Sequence, residues 1–223
     1  MLAAQTKEAL PTMASSRPPL RALPSWSGIV APVEPFLQQV AEQLEEQIAT
    51  FHPDLQEHAR YALTSQGKQL RPALVALAGR AFGELNDDHV TAAVIVEMVH
   101  LATLVHDDIM DEAAVRRGRP TLAHRWGNEQ AVLLGDCLFA HALKLAAGFP
   151  TTDVCRAVAG ATKNVCSGEI LQTQRRLQVN LSQREYLQML AMKTGELFAL
   201  SCELGVFLGG ASADECEALR EYG

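Results

Sequence analysis

Three aspartates, Asp107, Asp108 and Asp111, stand together at the end of an apolar segment, in the stretch HDDIMDEAAVRRGRPT. Residues four apart share one face of an α-helix, so Asp107 and Asp111 point the same way, with Asp108 alongside. Like charges at this spacing repel by roughly 0.2–0.5 kcal/mol on an isolated helix, and more strongly in a poorly hydrated site without a neutralising cation. Oxygen ligands without nearby cysteine suit Mg²⁺, which is usually coordinated by substrate phosphates as well as by the protein. The alternative is a solvated acidic helix end, although negative charge there opposes the helix dipole.

The same helix face continues toward the N-terminus through Leu104, His100 and Glu97. Basic residues interrupt apolar helical segments elsewhere, in three groups: Arg116 and Arg117, Lys68 and Arg71, and Lys193 beside Thr194. Arginine presents a rigid donor fork that matches phosphate oxygens, and the start of a helix favours anions. Surface salt bridges and a snorkelling lysine are the alternatives for each group taken alone. Together with the aspartates, the three groups predict a cavity for diphosphates and metal.

Composition limits the class of protein. The 223 residues are 48% hydrophobic and 20% charged, with a formal net charge of −7. This balance disfavours a nucleic-acid surface or a polybasic membrane anchor, and charged residues interrupt every long apolar run, so we expect no stable membrane insertion. The five cysteines are an odd number without a CxxC pair. We interpret them as small core residues in a reducing compartment, which predicts a cytoplasmic protein.

Apolar periodicity predicts an all-α, multilayered bundle. The spacing of Phe36, Val40, Leu44 and Ile48 is typical of an amphipathic helix over 32–48. Further helices are predicted over 53–65, 72–82, about 89–110, 128–147, 151–178 and 182–208, and from residue 213 onward. No strand-like alternation is present. Residues 1–31 lack periodicity, and we expect a flexible leader, or alternatively an organelle transit peptide, before a single domain over 32–223.

Three ordered motifs, GKQLRP, HLATLVHDDIMDEAAVRRGRPT and KTGELF, resemble those of the trans-isoprenyl diphosphate synthases, the polyprenyl synthetase family, and most of all its long-chain polyprenyl and geranylgeranyl members. The resemblance implies an all-α fold around a central cavity, a Mg²⁺ cofactor and a homodimer. It also implies elongation of an allylic diphosphate by isopentenyl diphosphate to a product of C20 or longer.

The resemblance assigns roles by position. The Mg²⁺ ligands that hold the allylic diphosphate would be Asp107 and Asp111, with Asp108 in support. The same diphosphate would be bound by Arg116, Lys193 and Thr194. Isopentenyl diphosphate would be bound by Lys68, Arg71, His100 and Arg117. Gln172, in GEILQ, would line the cavity near the metal, and the product tunnel would be bordered by Thr103, Ala102 and Val99. Asp107, Asp111, Arg116 and Lys193 would be the catalytic groups.

The sequence departs from the family pattern in one respect: it ends at EALREYG, before the family's second aspartate-rich motif. We therefore expect these residues to be part of a longer protein and to catalyse little prenyl transfer alone. Two other functions remain open. A catalytically silent subunit would bind a partner synthase, and a metal-dependent phosphohydrolase would use His106 and Asp107 with further histidines such as His89, His100 and His124.

Overall fold

A computed structural model describes residues 25–64 and 67–223, and these residues form an all-α fold. The helices are α1 (Trp26–Val30), α2 (Glu34–Ile48), α3 (Gln56–Leu63), α4 (Leu70–Phe82), α5 (Asp87–Met110), α6 (Leu122–Trp126), α7 (Asn128–Ala146), α8 (Asp153–Gln174), α9 (Gln183–Leu190), α10 (Glu196–Leu208) and α11 (Ala213–Tyr222). Short 3₁₀ turns, Ala31–Val33 and Pro53–Leu55, precede α2 and α3, and a π-helical turn, Ala191–Gly195, joins α9 to α10.

Helix α5 is the central element and carries the three aspartates at its end. Asn86 begins it with a capping box, in which its side chain accepts from the backbone N–H of His89. The helix packs against α2, α4, α7 and α10, and Ile95 and Met98 on its faces are completely buried. A helix that is apolar on several sides belongs in the middle layer of a fold. The predicted multilayered all-α bundle is therefore confirmed.

Length and composition also allow α5 to cross a membrane, which is true of no other described helix, and 67% of its most apolar stretch is buried inside the fold.

Two predicted helices differ from the structure. The one expected to end at residue 178 ends at Gln174, and Leu177 follows in a left-handed conformation with φ of 74°. The one expected over 182–208 is divided by the π-helical turn.

A short hairpin accompanies the helices, although the sequence shows no strand-like alternation. Val115–Arg116 pairs with Arg119–Pro120 as a minimal antiparallel hairpin. Arg117 and Gly118 form its two-residue turn with φ of 50° and 76°, the left-handed pair that matches the twist of hairpin strands. Thr121 then caps the unpredicted helix α6 by accepting from His124 N–H. Strands of two residues are too short to show alternation in the sequence.

Residues Pro32–Gly223 form one compact unit. The predicted leader covers residues 1–31, of which residues 1–24 lie outside the described part of the chain. Its last residues, Trp26–Val30, are helical, with the Ser25 hydroxyl accepting from Gly28 N–H. The expectation that all cysteines are core residues was wrong for Cys137 and Cys166, which are exposed, and is met by Cys202, which is buried.

Candidate active site

The cavity that contains Asp107, here called the main cavity, lies beside the end of α5 and has a volume of about 460 Å³. Its polar lining residues are Arg71, His100, Thr103, His106, Asp107, Cys166, Glu169, Lys193 and Thr194. Its apolar lining residues are Leu104, Ile109, Met110, Val132, Phe139, Val165, Ile170 and Leu197. A cavity with both charged and apolar lining residues suits an amphipathic ligand with an anionic head.

The three aspartates do not act as one group. Asp107 lines the main cavity, and burial raises the pKa of its carboxyl, while the charge of Lys193 opposes that rise. Asp111 is the C-cap of α5, and its Oδ1 lies 3.4 Å from Nη2 of Arg176.

Asp108 lies outside this cavity: its side chain is 8% exposed and accepts from Nε of Arg116 at 2.7 Å. Adjacent helical residues are rotated by roughly 100°, so Asp108 faces another side of α5 from Asp107. Asp107 therefore lines this cavity, whereas Asp108 is turned away from it and Asp111 is not among its described lining residues.

Lys193 reaches the cavity from the π-helical turn, which also places Thr194 on the cavity wall. Its ammonium group forms an ion pair with Glu169 of α8. Gly168 permits this approach, because a Cβ there would lie 2.8 Å from Lys193 N. Single π-helical turns are frequent at functional sites, where they redirect side chains.

Glu169, and not Gln172, is the α8 residue that places an acidic side chain at the cavity. Gln172 is exposed and is absent from the cavity walls formed by the described residues. The sequence held a signal for Glu169, since it continues the buried stripe of Val158, Ala161 and Val165 on α8.

A second cavity, of about 510 Å³, adjoins the first and is basic. It is lined by Gly67, Lys68, Gln69, Leu70, Arg71, Glu97, His100 and Arg117. Arg71 and His100 line both cavities, so the two are neighbours across these side chains. Burial and the nearby guanidinium groups of Arg71, Arg117 and Arg116 lower the pKa of His100 to about 3, so its imidazole is neutral.

Glu97 is the single carboxylate among the residues that line this basic cavity, and sequence reasoning gave it no role. Burial raises the pKa of its carboxyl, and the charges of Arg71 and Arg117 oppose that rise. A buried carboxylate between two guanidinium groups compensates part of their charge when no anion is bound. It therefore belongs to the site as an electrostatic partner of both arginines.

Arg71 is prepared to bind an anion. Its guanidinium lies over the ring of Phe198, 4.7 Å from the centroid, and its Nε is buried without a hydrogen-bond partner among the described residues. Gln69, two residues before it, adopts a left-handed φ of 46° at the start of α4. A non-glycine residue in that region stores strain, which is often found at ligand sites.

The hairpin that carries Arg116 and Arg117 is held against α3 by Tyr61. The Tyr61 hydroxyl donates to Pro120 O at 2.7 Å, and the Arg119 guanidinium lies 4.1 Å from the centroid of the Tyr61 ring. On the other side of the hairpin, the Arg117 guanidinium packs against Gly67, where a Cβ would lie 2.5 Å from its Nη1. The hairpin is thus fixed between α3 and the segment before α4.

The residues predicted to border the product tunnel have different surroundings. Thr103 lines the main cavity, whereas Ala102 and Val99 are buried and absent from its wall. Thr103 lies one turn before Asp107 on the same face, but Ala102 is rotated from Asp107 by roughly 140°. The described apolar lining is instead supplied by residues such as Met110, Phe139 and Ile170.

No group of three or more His, Cys, Asp or Glu side chains in the described residues could by itself hold a metal ion. Two carboxylates on one helix face still fit Mg²⁺, which is commonly bound through one or two carboxylates, waters and substrate phosphates. The phosphohydrolase alternative needs further histidine ligands. His89 is completely buried, with Nδ1 bonded to Asn86 and Nε2 bonded to Gly205 O, so it is committed to the core.

The sequence model of the polyprenyl synthetase family matches residues 52–223. A geranylgeranyl diphosphate synthase from Methanosarcina mazei is 38% identical over 175 residues, covering 76% of this chain and 54% of that protein. Component 2 of a heptaprenyl diphosphate synthase from Geobacillus stearothermophilus is 37% identical over 188 residues, covering 84% of this chain and 58% of that protein.

A solved structure agrees with these sequence matches. The polyprenyl synthase of Caulobacter crescentus, complexed with calcium and isoprenyl diphosphate, superposes with a TM-score of 0.85 at 34% identity, covering 91% of this chain and 62% of that one. The chain spans just over half the length of the two relatives that it matches by sequence.

Proposed function

The chain belongs to the polyprenyl synthetase family, and we propose on that premise that it carries the substrate-binding half of a prenyltransferase. The reaction condenses isopentenyl diphosphate with an allylic diphosphate to give a prenyl diphosphate of C20 or longer. The observation that supports this proposal is the pair of adjoining cavities. One is lined by apolar residues and by charged residues of both signs, the other is basic, and Arg71 and His100 line both.

Each cavity suits one substrate. The allylic substrate has a diphosphate head and an apolar tail, which match the charged and apolar lining residues of the main cavity. Isopentenyl diphosphate has a short tail, and its diphosphate suits the basic cavity with Lys68, Arg71 and Arg117. Neutral His100 still donates one hydrogen bond at the border between them.

The residues of the site perform electrostatic work in the reaction. Departure of diphosphate from the allylic carbon breaks a C–O bond and leaves a delocalised cation. The π electrons of isopentenyl diphosphate then form the new C–C bond, and a proton leaves. Lys193, which lines the main cavity, stabilises the negative charge on the departing diphosphate, and Arg116 would do so after leaving Asp108, with which it is paired outside that cavity. Mg²⁺ held by Asp107 and Asp111 would supply further positive charge there. No protein nucleophile is required.

The remaining parts of the proposal follow the family resemblance. We infer a homodimer, a cytoplasmic protein and a leader before the catalytic domain, in addition to Mg²⁺ as the metal. The second candidate function is that of a subunit that binds a partner synthase. It is supported by the relative that is named component 2 of a heptaprenyl diphosphate synthase. A silent subunit needs no aspartate pair, and Asp107 lies in the cavity here, so the catalytic function is favoured.

The test is turnover in a form of the protein that carries both aspartate-rich motifs. We expect Mg²⁺-dependent incorporation of isopentenyl diphosphate into longer products. Asp107→Ala or Asp111→Ala should lower the rate by a factor on the order of 10²–10³ or more, as for removal of one transition-state stabiliser. Most activity retained in both variants would refute the metal assignment. Release of phosphate from simple phosphoesters would favour the phosphohydrolase.

A further inference from the structure

Three carboxylates at the end of α5 and on α8 are each paired with one cation. Asp108 is paired with Arg116, Glu169 with Lys193, and Asp111 with Arg176, whose Nη2 lies 3.4 Å from Asp111 Oδ1. These three carboxylates, two at the end of α5 and one on α8, therefore share one arrangement, in which each has a single basic partner. Such pairing reduces the repulsion that crowded carboxylates would otherwise experience.

Two of the three cations have the same proposed fate. Arg116 and Lys193 are the residues that the motifs assign to the diphosphate of the allylic substrate. Each must exchange its carboxylate partner for phosphate oxygens when the ligand enters, and phosphate is a strong acceptor for such donors. The third cation, Arg176, is likewise paired with one carboxylate, that of Asp111. It lies outside all three motifs, in the segment that follows α8.

The segment that carries Arg176 is exposed, so the Arg176 side chain has room to change its hydrogen-bond partner. Leu177 and Val179 are each 95% exposed, so apolar packing does not fix this part of the chain. The Arg176 side chain itself is 57% exposed. The neighbouring Arg175 is held differently, because its Nη1 lies 3.0 Å from Glu185 of α9, away from the site carboxylates.

We propose that Arg176 is a further diphosphate-binding residue, which holds Asp111 in the metal-free protein and transfers to the diphosphate when a divalent cation takes Asp111. The proposal rests on the proposed function of the main cavity. It assigns to Arg176 two opposite effects on ligands. Arg176 competes with a cation for Asp111, and it adds one charge-assisted hydrogen bond to the bound diphosphate.

Calorimetric titration of the 223-residue chain with inorganic diphosphate and saturating Mg²⁺ measures the second effect. Arg176→Ala should weaken diphosphate binding about threefold to tenfold, since one exposed charge-assisted contact is lost, and Arg176→Lys should recover part of that loss. Arg175→Ala is the matched control: it removes the same charge one residue away and should bind within about twofold of the unaltered chain.

Titration with Mn²⁺ alone, followed by electron paramagnetic resonance, measures the first effect. Arg176→Ala should bind Mn²⁺ at least as tightly as the unaltered chain, because Asp111 has lost its competitor. Unchanged diphosphate affinity in Arg176→Ala, an equal loss in Arg175→Ala, or weaker Mn²⁺ binding in Arg176→Ala would each overturn the proposal.

Asp107→Asn separates this inference from the function on which it rests. If Asp107→Asn abolishes diphosphate binding while Arg176→Ala leaves it intact, the proposed function stands and the role of Arg176 falls. If Asp107→Asn binds diphosphate as well as the unaltered chain, or the unaltered chain binds none, the proposed function of the cavity fails and the inference fails with it.

Discussion

Tyr61 should determine how well the hairpin arginines bind diphosphate, although it touches neither substrate in the proposed site. Its hydroxyl and its ring each make one contact with the hairpin, to Pro120 O at 2.7 Å and to the Arg119 guanidinium at 4.1 Å. Substituting phenylalanine removes the first contact and substituting leucine removes both. The two variants therefore separate the contribution of the hydrogen bond from that of the cation–π contact.

The free energies of these contacts set the size of the effect. A typical hydrogen bond contributes about 0.5–1.5 kcal/mol, and a cation–π contact at an exposed site contributes about 0.5–1 kcal/mol. Affinity changes tenfold for every 1.4 kcal/mol, so Tyr61→Phe should weaken diphosphate binding by up to about tenfold. Tyr61→Leu should weaken it by up to about fiftyfold. These are upper limits, because part of the loss will appear as lower stability of the fold.

Titration calorimetry with inorganic diphosphate and Mg²⁺ measures the affinity, and urea unfolding measures the stability of the same preparations. His58→Ala is the matched control. His58 lies one turn earlier on α3 and contacts Trp126, with ring centroids 4.5 Å apart, and Gln130 at 3.0 Å. The reasoning would be refuted if both Tyr61 variants bound diphosphate within twofold of the unaltered chain. It would also be refuted if His58→Ala lost as much diphosphate affinity as Tyr61→Leu.

Four further predictions follow from the site and the core. Arg117→Ala should raise the KM for isopentenyl diphosphate, because Arg117 lines the basic cavity, while Arg116→Ala should raise the KM for the allylic substrate; steady-state kinetics of a form with both motifs measures this. Thr103→Phe should shorten the products, resolved by chromatography, because the ring would fill the main cavity. Ala102→Phe should instead lower stability, because Ala102 is completely buried. Gly205→Ala should cost about 1–3 kcal/mol of unfolding free energy, since its methyl group would overlap the α4 backbone.

Each of these predictions has a contradicting outcome, and for Ala102→Phe it is an unchanged free energy of unfolding. Equal changes in both KM values for either arginine variant would contradict the division between the two diphosphates. A normal product distribution in Thr103→Phe would show that this face of α5 does not limit the chain. Gly160→Ala on α8 is the control for Gly205, because nothing lies within 4 Å of a Cβ there. Gly160→Ala should not lower the free energy of unfolding. If Gly205→Ala also left that free energy unchanged, the close packing at Gly205 would be refuted.

The long helix α5 and its acidic end were predictable because helical periodicity and the i, i+4 rule act locally. Asp107 was correctly expected to face a cavity, but Asp108 was not separable from it in sequence. Which side of α5 meets a cavity depends on the helices packed around it. The same reason explains Ala102, whose small side chain fits a tunnel wall or a helix contact equally well until the neighbours are known.

Other features were missed because their sequence signals are short or nonlocal. The hairpin at Arg116 has strands of two residues, too few to show an alternating pattern. The role of Glu169 depends on Lys193, which lies 24 positions further along the chain and meets it only after folding. Gln172 matched a family position, yet the turn of α8 directs it outward and Glu169 inward.

The π-helical turn Ala191–Gly195 sets the rotational phase between α9 and α10. Relative to an uninterrupted α-helix, it inserts one residue and so offsets everything on one side of it by roughly 100°. On α9 this phase buries Met189 and leaves Tyr186 and Leu187 about half exposed. Removing one residue from the turn would restore regular winding and rotate α9 by that angle, which would turn Tyr186 and Leu187 to a different side of the fold. The number of residues in this turn, more than their identity, therefore decides which surface α9 presents.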